Sequence, residues 1–250
     1  VLTLMLEKKT SLITGCNGGI GLSLIKKFSE NGSDIICCAR KKNSEFEKSI
    51  KELSNQYNNS IIPIYFDLNS ENEIKEGIEM ILNCNKNIDI LVNNAGVDQV
   101  SLFQMTTNEK IKEVFQVNFF SALYLIRGVL KIFMKNKNGS IINISSNAAT
   151  ECDAGRSIYA ASKSAINSFT KSLSKELGPF NIRVNAVAPG LTNTRMIEKG
   201  INKKVLEEAI KKIPLKRVAS PEEVANVVLF LASDMSSYVN GEVINITGGY

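Results

Sequence analysis

The sequence contains no histidine and no tryptophan, and its five cysteines show no C-x-x-C spacing. Each absence removes a class of chemistry. Without histidine there is no Ser-His-Asp or Cys-His nucleophile, no His-ligated metal centre and no imidazole relay near neutral pH. The odd set Cys16, Cys37, Cys38, Cys84 and Cys152 builds neither a disulfide framework nor a zinc site. These cysteines read as reduced cytosolic thiols, and no metal site is expected. With no tryptophan to stack on bases and no arginine-rich stretch, a nucleic-acid partner is not expected either. No window approaches the roughly 18 apolar residues of a membrane-spanning helix, and the opening VLTLMLEKK is too short for the apolar region of a signal peptide. The expectation is a soluble cytoplasmic protein without a membrane partner.

What is present is a large apolar fraction: 44% of the 250 residues are hydrophobic and 22% are charged, enough to bury a sizeable core. The net charge of +5 comes mostly from lysines mixed with glutamates on helical patterns, which reads as solvated surface. Seven short apolar runs alternate with helical patterns: SLIT (11–14), DIICCA (34–39), IIPIYF (61–66), IDILV (88–92), SIINI (140–144), IRVNAV (182–187) and EVINI (242–246). Near-continuous apolar strands belong to parallel sheets covered on both faces. The predicted fold is therefore α/β: a single domain over 1–250, a doubly wound (Rossmann-type) parallel sheet of about seven strands with helices on both faces. Helices are predicted from Thr107 to Lys135, from Tyr159 to Leu177, and after Ser220-Pro221-Glu222-Glu223, which has the form of a capping box with proline at the first helical position.

After the first run comes Thr14-Gly15-Cys16-Asn17-Gly18-Gly19-Ile20-Gly21 and then an amphipathic helix. Glycines let backbone turn tightly and approach a pyrophosphate, and the N-terminus of the next helix offers unpaired N–H groups to it. An NAD-preferring site of this kind places a carboxylate at the end of the second strand, but here that place holds Ala39-Arg40-Lys41. Asp34 begins that strand and so points to the wrong edge. Arg40 suits a 2′-phosphate, which predicts NADP(H) over NAD(H). Two further strand ends reach the same edge, at Asp67-Leu68 and at Asn93-Asn94-Ala95-Gly96.

Tyr159 and Lys163 stand one helical turn apart on one face. A phenol is a poor acid/base group at neutral pH until its phenolate is stabilised. An ammonium about 4 Å away supplies at most about 4 kcal/mol at an effective dielectric near 20, about three pKa units, which would bring Tyr159 toward neutrality. Thirteen residues upstream lies Ser146, just past a strand end, where its hydroxyl can bond a substrate carbonyl; Ser145 is its neighbour, but the spacing favours Ser146. Asn118, among Val117, Phe119 and Phe120, needs polar partners, which a network reaching Lys163 would supply.

Thr14 to Gly21, Asn93 to Gly96, Asn118, Ser146, Tyr159, Lys163 and Pro189-Gly190 followed by Thr194 resemble, in order and spacing, the motifs of the short-chain dehydrogenase/reductase family. The resemblance implies an NAD(P)-dependent oxidoreductase. In it Tyr159 is the general acid of reduction, Lys163 lowers its pKa and holds the ribose, Ser146 orients the carbonyl, and Asn118 supports a proton-relay water. It also implies cofactor contacts from Gly15, Asn17, Gly18, Gly19, Ile20, Gly21, Asp67, Leu68, Asn94, Ala95 and Gly96, and from Pro189, Gly190, Thr192 and Thr194 on the nicotinamide side. Within the family the chain looks most like the 3-oxoacyl-acyl-carrier-protein reductases of fatty acid biosynthesis. That likeness implies docking of an acidic carrier by Lys137 and Lys175 beside the active site, and a homotetramer. The segment Gly155-Arg156-Ser157-Ile158 departs from the neutral G-Q-x-N of those reductases, as does Val97-Asp98-Gln99-Val100 from their usual pattern. Arg156 is a candidate receptor for an anionic group, and the departure leaves open a nucleotide-linked keto sugar, a polyol or a small ketone. A non-catalytic dinucleotide sensor would need the loop but not the Asn118, Ser146, Tyr159 and Lys163 set.

Overall fold

All seven apolar runs are strands in the computed structural model, which describes residues 4–194 and 203–250. They are β1 (Thr10–Thr14), β2 (Asp34–Ala39), β3 (Ile61–Tyr65), β4 (Ile90–Asn93), β5 (Gly139–Ile144), β6 (Ile182–Pro189) and β7 (Val243–Ile246). They form one parallel sheet in the order β3-β2-β1-β4-β5-β6-β7.

The strands read as unbroken apolar runs because alternate residues feed two cores. Ile13, Ile35, Cys37, Ile90, Val92 and Ile142 pack on one face with α1 (Gly19–Glu30), α2 (Ser44–Tyr57) and α9 (Pro221–Ala232). Leu12, Ile36, Leu91, Ile141, Ile182 and Val184 pack on the other with α3 (Glu71–Asn83), α5 (Ser121–Asn136) and α7 (Ser157–Leu177), and two shorter helices, α6 (Ala148–Glu151) and α8 (Lys203–Lys212), precede α7 and α9 in the chain. A strand with both faces covered has no solvent-facing positions at which polar residues could alternate. The sheet order reverses between β1 and β4, and such a reversal opens a crevice at the carboxyl ends of the strands.

The stretch expected as one helix from 107 to 135 is broken. After α4 (Asn108–Phe115) the chain makes a π-helical turn over Gln116–Phe120 before α5, and this turn carries Asn118. An 18-residue window within the 108–136 stretch reaches a mean hydropathy of 1.5, enough by length and composition to cross a membrane, which corrects the expectation that no such window exists. Its apolar residues Leu125, Ile126, Val129 and Phe133 are instead buried against the sheet.

Ser220 caps α9 as expected: its hydroxyl accepts from the Glu223 N–H, and the Glu223 carboxylate accepts from the Ser220 N–H at 2.8 Å. Ser220→Ala should cost about 1 kcal/mol and lower the melting temperature by about 2–4 °C, read by calorimetry. An unchanged melting temperature would show that the cap adds nothing to the packing of α9.

Candidate active site

The glycine loop is clamped to the far side of the sheet reversal. The Thr14 hydroxyl accepts from the backbone N–H groups of Asn94 and Ala95 at 3.0 and 3.1 Å, and the Asn94 side-chain amide donates to the Thr14 and Gly15 carbonyls at 2.8 and 3.1 Å. Gly15 has φ +68°, and a Cβ there would lie 2.8 Å from the Ala95 Cα. At Gly21 a Cβ would meet the Gly15 carbonyl oxygen at 2.1 Å. Gly15 requires glycine for conformation and for space, Gly21 for space alone. At Gly18 a Cβ would meet nothing within 4 Å. Gly18 caps α1 without a side-chain bond, and the first turn carries no acidic residue. The loop therefore presents uncapped N–H groups and a positive dipole end to open space, which fits a phosphate group.

That space is one cleft of about 500 Å³. Every loop, strand-end and Pro189-to-Thr194 residue to which the sequence assigned a cofactor contact lines it, together with Arg40, Ser146, Tyr159 and Lys163. Asn118 does not. Thr194 sits against Gly19, with its methyl 3.1 Å from where a Cβ would be. Arg40 is exposed, and among the described residues it forms no ion pair. Asp34, at the opposite end of β2, is held by Lys86 at 3.0 Å and by the Ser60 N–H at 2.8 Å. Asp67 does not cap a helix: its carboxylate accepts from the Asn69 N–H, and Ser70 caps α3.

Tyr159 and Lys163 lie in the first turns of α7, both buried. The Ser146 hydroxyl, which accepts from the Ala148 N–H at 3.2 Å, acts on the Tyr159 phenol and lines the cleft with it. Ser145 donates instead to the Lys163 carbonyl at 3.3 Å, so of the two serines Ser146 is the one that acts on the phenol. The Lys163 ammonium donates to the Ile144 carbonyl at 2.7 Å and lies 5.9 Å from the centre of the Tyr159 ring. Asn118 sits behind the cleft: its amide donates to the Val97 carbonyl and the Ser162 hydroxyl and accepts from the Val97 N–H at 2.8 Å. A Cβ on Gly96 would lie 3.4 Å from both Asn118 Oδ1 and Lys163 Nζ, so these two polar atoms flank Gly96.

The electrostatics correct one expectation. Burial pushes the Tyr159 phenol above its ordinary value of 10, while the Ser146 hydroxyl opposes this, Asp98 reinforces it and Arg156 opposes it. Lys163 does not bring the phenol toward neutrality, because its ammonium is directed to a carbonyl and is itself disfavoured by burial. Its pKa falls from 10.5 to about 8, against a smaller opposing pull from Asp98.

Two residues of the cleft were missed as a pair. Arg156 donates to Asp98 at 2.6 Å, and its guanidinium lies 4.9 Å from the centre of the Tyr159 ring. Arg156 is thus not the free anion receptor expected from sequence. The available signal was that both residues stand where the chain departs from the reductase pattern. Lys137 and Lys175 are misplaced as well. Lys137 precedes β5 whereas Ser146 follows it, about 20 Å away along six strand residues. Lys175 lies twelve residues past Lys163 on α7, about 18 Å along the helix. Within one chain, neither lysine is beside Tyr159.

Residues 15–250 match the family described as Enoyl-(Acyl carrier protein) reductase. The chain is 40% identical over 250 residues to the 3-oxoacyl-[acyl-carrier-protein] reductase of Aquifex aeolicus, covering 98% of each. A solved 3-oxoacyl-[acyl-carrier protein] reductase from Brucella melitensis is 32% identical and superposes with a TM-score of 0.91 over 99% of this chain and 94% of that one. A putative NAD(P)-dependent gluconate 5-dehydrogenase from Beutenbergia cavernae, solved with bound NADP, is 27% identical with a TM-score of 0.90 over 99% and 98% of the two chains.

The depressed pKa of Lys163 has a thermodynamic signature. Between pH 8 and 10.5 the unfolded chain binds the Lys163 proton and the folded chain releases it, so stability rises with pH across that window. Below pH 8 the burial penalty is present in full. In denaturant titrations the difference in unfolding free energy between wild type and Lys163→Met should climb from pH 8 to 10.5; a flat difference would refute a buried ammonium.

Proposed function

Because the chain belongs to the short-chain dehydrogenase/reductase family, we propose that this enzyme reduces a 3-oxoacyl thioester, carried on acyl carrier protein, to the 3-hydroxyacyl product with NADPH. The observation that carries the reading is the placement of Ser146 and Tyr159 in the same cleft as the uncapped N-terminus of α1. The likeness to the Aquifex and Brucella reductases supports the substrate.

The cradle fits a dinucleotide: its walls are glycines where a Cβ would collide, and its phosphate end is a helix N-terminus without a cap. Gly15, Gly18, Gly19 and Thr194 would hold the pyrophosphate, Asp67 and Leu68 the adenine side, and Lys163 the ribose. Arg40, without a carboxylate partner among the described residues, would receive the 2′-phosphate, which is the basis for NADP(H) over NAD(H). The bound dihydronicotinamide supplies the hydride. Ser146 and Tyr159 take the ketone oxygen from two sides, polarising the carbonyl. Tyr159 then gives its phenolic proton to the developing alkoxide. Its raised pKa keeps that proton in place at neutral pH, the form that reduction needs. Lys163 stays mostly protonated at pH 7, with a pKa of about 8, so its ammonium, held on the Ile144 carbonyl, can also donate to the ribose. Asn118 fixes Val97 and, through Ser162, the first turn of α7. A homotetramer is the expected assembly by family likeness.

A second reading, a keto sugar or polyol as substrate, is favoured by the Asp98–Arg156 pair in place of the small neutral segment and by the likeness to the gluconate 5-dehydrogenase.

Purified protein should oxidise NADPH with an acetoacetyl thioester faster than with a keto sugar nucleotide or simple diketones. The reverse order favours the second reading, and no turnover with any of them defeats both. Tyr159→Phe should lose about 10²–10⁴ of kcat. Arg40→Ala should raise KM for NADPH while leaving KM for NADH nearly unchanged. A wild type preferring NADH would overturn the 2′-phosphate assignment.

A further inference from the structure

Arg156 stands at the N-cap of α7, where a cation faces the positive end of the helix dipole and no carboxylate stands in the first turn to offset it. The offset comes from another part of the chain, 58 residues away: the Asp98 carboxylate, bonded to Arg156 at 2.6 Å. Both side chains are mostly buried, with relative exposures of 25% and 20%. The two segments that carry them are tied beside the ion pair. The Ser101 N–H donates to the Gly155 carbonyl at 2.9 Å, and the buried Gln99 amide donates to the Ser101 carbonyl and hydroxyl at 2.8 and 3.0 Å. Asp98 is fixed in turn, because its second carboxylate oxygen accepts from the Gln99 N–H at 2.8 Å. The result is a guanidinium held over the Tyr159 ring at 4.9 Å, in cation–π range, with its counter-charge also lining the cleft.

We propose that Asp98 and Arg156 are a positioning pair for Tyr159. Arg156 lies on the ring, fixes its orientation toward Ser146 and favours the phenolate, while Asp98 opposes that charge; together they set the pH range over which the phenol exchanges its proton. The proposal rests on the reading of Tyr159 as the proton donor. The pair acts through Tyr159 and touches no reacting atom. The other groups around Tyr159 leave it this role. Lys163, on the same helix, is 5.9 Å from the ring and bonded to Ile144; Ser146, after β5, is neutral; and Glu113, on α4, lines the cleft but is paired with Lys110 at 2.9 Å. Asp98 and Arg156 are thus the charges of opposite sign that act on Tyr159 from outside the Ser146–Lys163 set.

Two neutral variants keep the hydrogen bonds while removing one charge each: Arg156→Gln can still donate to Asp98, and Asp98→Asn can still accept from the Gln99 N–H. Tyr159 in the free protein is titrated by its phenolate absorbance, each protein being subtracted from its own Tyr159→Phe counterpart. Arg156→Gln should move the midpoint up and Asp98→Asn should move it down. The double variant should fall between them, and Arg156→Lys should stay close to wild type. The alkaline limb of the kcat/KM profile for ketone reduction should follow the same order. A purely structural pair would shift both single variants the same way or neither, and either outcome overturns the proposal. The absorbance titration needs no substrate, so a failure of the ketone reductase reading leaves it decisive for the pair.

Discussion

The site depends on the clamp between the ends of β1 and β4. Parallel strands that diverge at a reversal leave backbone groups without ladder partners, and a crevice opens only if those groups are satisfied from within the protein. Thr14 and Asn94 do this reciprocally, the hydroxyl of one serving the backbone of the other strand and the amide of the other returning two bonds. Each bond is worth about 0.5–1.5 kcal/mol net, yet leaving any of these groups buried and unpaired would cost about 1–3 kcal/mol. The clamp also explains the glycine pattern. Gly15 and Gly21 lie so close to Ala95 and to each other that the loop has no room for a side chain, and Gly18, facing open space, completes the cradle.

Behind the cleft the same economy of backbone partners holds the acid/base groups. Lys163 is buried, and its ammonium is tolerated because the Ile144 carbonyl, at the end of β5, accepts from it. The π-helical turn at Gln116–Phe120 is the counterpart on the other side: it presents Asn118 where both its donor and acceptor meet Val97. A regular helix would direct this side chain differently, and π-turns of one cycle often occur where a functional side chain has to be re-aimed. Burial of Tyr159 and Lys163 has opposite electrostatic effects on them, raising one pKa and lowering the other. Both shifts favour the neutral form of the group. At neutral pH the phenol keeps its proton and the ammonium is only moderately destabilised, which suits a site that begins its reaction by donating a proton to an oxygen.

Much of this was legible in the sequence because the physics is local. A strand covered on both faces must be apolar throughout, so the seven runs appear without any alignment. A capping box reads directly from Ser220 and Glu223. Glycines placed between a strand and a helix state their own geometry, and Tyr159 and Lys163 share a face because the helical period puts them there. What was not legible is long-range. The Asp98–Arg156 bond joins residues 58 apart, and nothing in either segment alone announces the other. The phenol pKa was misjudged because helical spacing fixes which face Lys163 occupies but not where its ammonium points, and the carbonyl it reaches belongs to a strand end. Lys137 and Lys175 were placed near Tyr159 by motif likeness. The direction of β5 and the length of α7 carry both to the opposite edge.

The same division separates the two ends of the cleft. At the phosphate end the requirements are steric and belong to the backbone: any sequence that brings a helix N-terminus this close to a strand end needs glycine at Gly15 and Gly21. At the Tyr159 end the backbone asks for little, and the character of the site comes from charges supplied by loops after β4 and before α7. Those loops are joined to each other by Ser101–Gly155 and by Asp98–Arg156 rather than to the sheet. They can therefore change together without disturbing the clamp. Loops held by side-chain pairs, such as those carrying Asp98, Gln99 and Arg156, vary more readily than strand ends held by backbone, while the glycine loop stays tied to the sheet reversal.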